Sequence, residues 1–514
     1  MLESFLFAVY FSFFTWLTYK PKRKGVSRGK KSPPQAIKIV TATPKEQAQN
    51  QPIVAVEVNL DSSIKHPQSR QPFVLPAKPV FEANGNNSVG LSSLGKVATA
   101  IATLSNGAVT GETRGERAYS GEGITETNTY QQLVRKLEAE NSDQNTAPEE
   151  LMYDKKIINE AVSESRLAVV KKIKEFVETK NNIEGAYQAL YELLTDYPFR
   201  TGKMLRPTMC ISVARAVGGM GQDALTSASA LELYHNAFLI HDDIEDGSES
   251  RRGKGTLHQM IGIPRAINVG DATNVLAVGL LLENLSVIGV AKALNVLHEI
   301  EFMAQQSVEG QAMELDWVAA NASNLTDQDY FRMCVKKTCW YTFITPCRIG
   351  LIVGHPSASS KELVKDLAGL TRFGMMLGIA FQIQDDLLNL QGELETYGKE
   401  IGGDIYEGKR TLMLNHVLAH SGASKKILEI LALPREKKTP EQLAFIMEQM
   451  QQCGSIEHGW KVARSLAQKA AEIFDSLDFL HSSTPLRSEE QWGCPFHDRR
   501  FLKELINYVI YRNA

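Results

Sequence analysis

From Pro148 onward the sequence is written almost wholly in helical periods, and this texture limits the possible fold more than any other feature. The stretch KKIINEAVSESRLAVVKKIKEFVE repeats apolar residues three and four positions apart with few breakers. AYQALYELL, SASALELYHNAFLI, VLAVGLLLENLSVI, ALNVLHEIEFMAQQSVEGQAMEL and FGMMLGIAFQI continue the pattern. Such spacing collects apolar side chains on one helix face, which must then pack against another helix. No useful run of alternating β-branched residues interrupts these segments. An all-α domain of about ten helices over residues 148–514, without tandem repeats, is expected.

The preceding residues read differently. Residues 4–19, SFLFAVYFSFFTWLTY, form an apolar, aromatic run a little shorter than a full spanning helix, and KPKRKGVSRGKK follows at once. A signal peptide carries its positive charge ahead of the apolar run, so this order favours a retained membrane anchor, with the basic flank and the rest of the protein on the cytoplasmic side. A removed targeting segment and a packed N-terminal helix are the alternatives for residues 1–19. Residues 20–147 begin basic, then become rich in Pro, Ser, Thr, Asn and Gly, and read as a disordered linker. The whole chain is near neutral, with 56 Lys and Arg against 59 Asp and Glu, which gives no sign of a nucleic-acid partner. Six cysteines are dispersed without a CxxC pair, so neither a disulfide framework nor a structural zinc site is implied.

Two acidic clusters stand at the ends of apolar helical segments. HDDIEDGSESRRG places Asp242 and Asp246 four residues apart on one helix face, with Asp243 beside them. FQIQDDLLNL places Gln382 and Asp386, and likewise Asp385 and Asn389, at the same spacing. Carboxylates this close repel one another unless a cation offsets the charge, and a hard divalent ion bridging phosphates is the natural complement. Basic residues gather in other segments: Lys203 and Arg206 in GKMLRP, Arg251 and Arg252 after the first cluster, Lys336 and Lys337 in VKKT, Lys399 and Lys409 in YGKEIGGDIYEGKRT. Acids and bases together suggest a polyanion held partly by protein and partly by metal.

Over about Tyr187 to Arg512 these motifs resemble the trans-isoprenyl diphosphate synthases, especially the geranylgeranyl and farnesyl types. The resemblance rests on GKMLRP, on DDIED with RRG behind it, on GQAMELDW, on KT at Lys337–Thr338, and on FQIQDD with GGDIYEGKRT. It implies a helical bundle around an apolar cavity and a homodimer. It also implies three Mg²⁺ ions per active site, with Asp242, Asp243, Asp246 and Asp385 as ligands and Gln382 and Asp386 in support. The allylic diphosphate would be held by Arg251, Lys337, Lys399 and Lys409, with Thr338 and Gln382 beside it, and isopentenyl diphosphate by Lys203, Arg206, His235 and Arg252. The implied reaction condenses the two. Three features depart from the usual pattern: Asn389 stands where many members carry an aspartate, Thr201 replaces a frequent glycine, and residues 482–500 look inserted ahead of the terminal helix.

Phe238 lies four residues before Asp242, one turn deeper on nearly the same face, and Ala237 is its small neighbour. The resemblance implies that aromatics upstream of the first acidic motif act as a floor, so both are expected to influence product length, with a C20 product favoured over C15; simple packing of Phe238 in the interhelix core is the alternative. A class I terpene cyclase and a non-catalytic subunit of a prenyl synthase are the alternative readings. Both metal motifs and the isopentenyl cations being present weighs against them.

Overall fold

The computed structural model describes residues 153–181, 188–200, 202–392, 401–481 and 495–511. The apolar N-terminal run, the linker, Thr201 and Lys399 lie outside the described residues. In chain order the principal helices are α1 (Lys155–Asn181), α2 (Leu205–Ala216), α3 (Gly221–Glu245), α4 (Ile263–Leu282), α5 (Gly289–Ala319), α6 (Asp327–Cys334), α7 (Thr345–Gly354), α8 (Lys361–Gln391), α9 (Leu412–His420), α10 (Ser455–Asp475) and α11 (Pro495–Tyr511). A further 13-residue helix, Pro440–Gln452, lies between α9 and α10 in the chain, shorter helical segments connect the rest, and the all-α architecture expected from the periodicity is what the described residues adopt. One small antiparallel hairpin, Ser250–Arg251 with Lys254–Gly255, was not anticipated, because two-residue strands leave no alternation to read.

Helix α3 runs through the centre, against α1, α2, α4 and α7. Its first half is made of small residues, with Ala224, Thr226, Ser227, Ala228, Ser229 and Ala230 all buried, so neighbouring helices approach it closely from several sides. Helix α8 packs against α10, α7 and α11, and its start is fixed by Ser360, whose hydroxyl accepts from the Leu363 amide. Phe343, Phe373 and Phe474 fill the interior between these elements, and truncating any one of them to Ala should cost roughly 3–5 kcal/mol.

Between α6 and α7 the chain forms a π-helix, Val335–Ile344, which carries the KT pair. Its wider backbone is accommodated by glycine on both sides. A Cβ at Gly310 of α5 would collide with the Lys337 backbone, and one at Gly378 of α8 would stand 2.6 Å from the Cys339 sulfur. The terminal helix begins at Pro495, earlier than the expected Phe501, because Asp498 is drawn into the core by Arg215 of α2 (Nη2 to Oδ1, 2.7 Å). Removing Arg215 would strand the buried Asp498 at a cost of about 3–5 kcal/mol, whereas Arg215 without Asp498 keeps Glu164 at 3.0 Å. Residues 482–494 lie outside the described residues.

Candidate active site

Asp242, Asp243 and Asp246 occupy the last turn of α3 and its cap, and Asp385 and Asp386 lie near the end of α8. The C-terminal end of a helix already bears partial negative charge, so carboxylates gathered there need cations close by. The protein supplies them. Lys409 Nζ stands 2.6 Å from Asp246 Oδ2 and 2.9 Å from Glu407 Oε2. Lys337 pairs with Glu314 of α5 and lies 3.6 Å from Asp242 Oδ1. Arg251 pairs with Asp243 and reaches to 3.6 Å from Asp242 Oδ2. Burial pushes the Asp246 carboxyl up to about 7, with Lys409 opposing the rise and Asp242 adding to it.

The π-helix joins the two acidic helices. Lys337 faces the first cluster, and the next residue, Thr338, donates its hydroxyl to Gln382 Oε1 at 2.8 Å in the second. The 402–411 segment makes the same crossing: Lys409 meets Asp246, while the Asp404 amide donates to Asn389 Oδ1 at 3.1 Å. Asn389, which stands where an aspartate was the more usual expectation, thus anchors this segment. Arg410, buried beneath, donates to the carbonyl of Ala322 at 2.6 Å and to Asn321 Oδ1 at 2.6 Å, fixing the strand of chain that presents Lys409.

The two carboxylates of each pair take different directions. Asp242 is part-exposed, whereas Asp243 is fully buried, accepting from Tyr197 Oη at 2.5 Å and from Arg251 Nε at 2.9 Å. Asp386 is likewise buried, held by Tyr330 Oη at 2.7 Å and Gln382 Nε2 at 2.8 Å. Hard carboxylate oxygens suit Mg²⁺. Asp242, Asp246 and Asp385 fit that role, whereas the expected ligand Asp243 has both oxygens committed to protein donors and does not. Among the described residues no three of His, Cys, Asp and Glu are already gathered as a metal cage. The arrangement agrees with this, since Lys337 and Lys409 lie against the carboxylates that an ion and its phosphates would share.

A second cationic pocket adjoins the first. Arg206 donates to Thr342 Oγ1 at 2.8 Å and stacks over the Tyr341 ring at 4.5 Å. His235 stacks on the other side of that contact, 5.8 Å from Tyr341, and burial together with Arg206 and Arg252 holds its pKa well below the usual value. The buried His235 Nδ1 and Arg206 Nε have no hydrogen-bond partner within the protein, as befits groups waiting for an anion. Arg252 lies against Gly202, where a Cβ would stand 2.7 Å from the guanidinium carbon, so the glycine makes room for it. Glu232 is buried among these cations; burial raises its pKa, and Arg252 and Arg206 oppose the rise. Lys203 sits at the exposed rim, 5.8 Å from the Tyr508 ring. Phe238, one helical turn before Asp242, is edge-on to Tyr341 at 5.9 Å and lies 6.2 Å from Tyr234. Ala237 is fully enclosed.

Sequence reasoning missed Tyr197, Tyr330, Glu314, Glu407 and Arg410. Glu314 and Glu407 fall inside motifs already quoted, while the two tyrosines carry no local signal.

Comparison with known proteins agrees with these features. The polyprenyl synthetase family model matches residues 187–450. The octaprenyl diphosphate synthase of Escherichia coli (strain K12) is 32% identical over 276 residues, covering 54% of this chain and 80% of that protein. The geranylgeranyl diphosphate synthase of Saccharolobus solfataricus is 32% identical over 306 residues, covering 59% and 85%. Among solved structures, geranylgeranyl pyrophosphate synthetase from Pyrococcus horikoshii Ot3 superposes with a TM-score of 0.58 at 29% identity, covering 69% of this chain and 98% of that one. The polyprenyl synthase from Caulobacter crescentus CB15, complexed with calcium and isoprenyl diphosphate, gives 0.57 at 26% identity, covering 70% and 98%.

Proposed function

Because this chain belongs to the polyprenyl synthetase family, whose members condense isopentenyl diphosphate with allylic diphosphates, we propose that it is a Mg²⁺-dependent short-chain trans-prenyltransferase giving a C20 product. The observation that carries the reading is the pair Lys337–Thr338, consecutive residues that reach opposite acidic helices and so gather both into one site. Magnesium held by Asp242, Asp246 and Asp385 would neutralise charge on a departing diphosphate.

The protein's own groups do the remaining work. Lys337 and Lys409 turn from their carboxylate partners toward the allylic diphosphate, with Lys399 assigned the same duty from the sequence, and stabilise the charge that grows as the carbon–oxygen bond breaks. Arg251 fixes Asp243 and so steadies the helix end. Arg206, Arg252, His235 and Lys203 hold isopentenyl diphosphate with its double bond facing the cation. Phe238, Tyr234 and Tyr341 give the hydrocarbon an apolar wall and leave the cation no water to capture. A terpene cyclase built on this fold would have no use for the second cationic pocket.

The test is to incubate the purified full chain with Mg²⁺, isopentenyl diphosphate and each of the C5, C10 and C15 allylic diphosphates, and to identify products by mass. Prenyl diphosphates lengthened in steps of five carbons, ending at C20 from each primer, are expected; cyclised hydrocarbon, or no product, contradicts the reading. Arg206→Ala should raise the isopentenyl KM about tenfold or more with a smaller effect on the allylic KM.

A homodimer is part of this proposal. Ile263, Val275 and Leu282 of α4 and Val308 and Leu315 of α5 are exposed apolar residues on helices that touch, and a second copy of the chain would cover them. The segment Ile263–Val287 is long and apolar enough to cross a membrane by length and composition, yet it forms part of the folded bundle, with 39% of it buried. We assign membrane attachment to residues 1–31 instead. Light scattering of the detergent-solubilised protein and carbonate extraction of membranes test these two points; a monomer, or release by carbonate, would refute them respectively.

A further inference from the structure

The two acidic pairs are divided in the same manner, each by a tyrosine. Tyr197 Oη donates to Asp243 Oδ2 at 2.5 Å, and Tyr330 Oη donates to Asp386 Oδ2 at 2.7 Å. In both cases the acceptor is the second carboxylate of an Asp-Asp pair, and in both its other oxygen is also filled, by Arg251 Nε at 2.9 Å and Gln382 Nε2 at 2.8 Å. The tyrosines are themselves buried, each 1% exposed, so their hydroxyls have no competing water. A carboxylate with directed donors on both oxygens cannot swing outward. Successive residues on an α-helix project about 100° apart, so pinning Asp243 or Asp386 inward sets where Asp242 or Asp385 must point.

Each tyrosine also connects its acidic pair to a second functional group. The Tyr197 hydroxyl accepts from the Leu257 amide at 3.2 Å, and its carbonyl accepts from Arg252 Nη1 at 3.1 Å, so one residue ties the first acidic pair to the isopentenyl pocket. From Tyr330 the chain of bonds continues through Asp386 and Gln382 to Thr338, which donates to Gln382 at 2.8 Å. The orientation of the Gln382 amide, and with it the Thr338 hydroxyl, is therefore set from Tyr330.

We propose that Tyr197 and Tyr330 are positioning residues of the metal–diphosphate site. Each locks the second aspartate of a pair so that the first is presented to ion and substrate, and neither touches the reacting atoms. This inference rests on the prenyl-transfer reading but is judged by a separate observable. Tyr→Phe removes one oxygen and keeps the ring, so packing is preserved while the lock is opened.

The experiment titrates Mg²⁺ into the full chain with inorganic diphosphate present and follows binding by calorimetry, for the parent, Y197F and Y330F. Circular dichroism and thermal unfolding are recorded alongside. The Mg²⁺ concentration for half-saturation should rise severalfold or more in each variant, toward the roughly 10–100-fold typical when a group bonded directly to a metal ligand is removed. The kcat should fall more than either substrate KM changes. Unchanged half-saturation in folded Y197F or Y330F overturns the proposal, as does a parent protein that binds no diphosphate with Mg²⁺. A parent that binds diphosphate with Mg²⁺ but forms no prenyl product refutes prenyl transfer alone, and the shift in half-saturation then still decides the roles of the tyrosines. The two motifs are held independently, so either variant suffices if the other does not fold.

Discussion

Lys409 and Asp246 meet at 2.6 Å although 163 positions separate them in sequence. This contact closes the 402–411 segment over the first acidic cluster, and both side chains are largely covered, 16% and 8% exposed, so each depends on the other or on a replacement charge. Lys409→Ala should leave Asp246 facing Asp242 and Glu407 with only Lys337 to compensate. We expect a lower melting temperature in EDTA, partial recovery when Mg²⁺ is added, and a kcat/KM for the allylic diphosphate reduced about 100-fold or more. Thermal unfolding with and without Mg²⁺, together with steady-state kinetics, checks this. A variant whose stability does not respond to Mg²⁺ would separate the lysine from the metal site.

Product length should respond to Phe238, whose ring meets Tyr341 edge-on beside both cationic pockets. Phe238→Ala opens space without altering any charge, so longer prenyl diphosphates are expected, most of all with isopentenyl diphosphate in excess. The truncation could cost up to about 3–5 kcal/mol, so product must be normalised to folded enzyme. An unchanged spectrum would place the floor of the cavity elsewhere. The converse change at Ala237 is a poorer test, because that side chain is fully enclosed and a larger one would overpack the core.

Acid should destabilise the protein through His416, the middle one of three stacked histidines. His416 lies 4.0 Å from His420 and 4.5 Å from His458, ring to ring, and His458 pairs with Asp327 at 2.9 Å. Burial first, then the charge of the neighbouring rings, pushes His416 down to about 4 from 6.5, with Asp327 opposing. Between those values the unfolded chain binds a proton that the fold refuses. The contribution is complete above about pH 6.5 and is lost as pH falls toward 4. His416→Gln should therefore flatten the decline of melting temperature over that window, measured against the parent. An identical slope in both proteins would contradict the assignment.

Which residues the structure gathers was legible where that depends on residue type and spacing. Asp242 and Asp246 are four apart on a helix that the surrounding apolar residues predict, and the basic segments stand beside recognisable motifs. The division within each acidic pair was not legible. Asp242 and Asp243 look alike in sequence, and their different fates are decided by Tyr197 and Arg251, the first of them 46 positions away from Asp243. The π-helix was hidden for a related reason. VKKTCWYTFI reads as an ordinary helical segment, and its extra width depends on room left by Gly310 and Gly378 on two other helices. The start of α11 was misjudged because the pull of Arg215 on Asp498 acts across 283 positions.

The central claim is that the two acidic helices, gathered by Lys337 and Thr338, form one metal–diphosphate site that drives ionisation. The most direct measurement is single-turnover prenyl transfer by full-length Asp242→Ala at saturating Mg²⁺ and both substrates, with folding verified by thermal unfolding. Loss of one preorganised group at the developing charge should slow the chemical step by about 10²–10³-fold or more while the fold survives. Near-normal single-turnover rates in the folded variant would contradict the account.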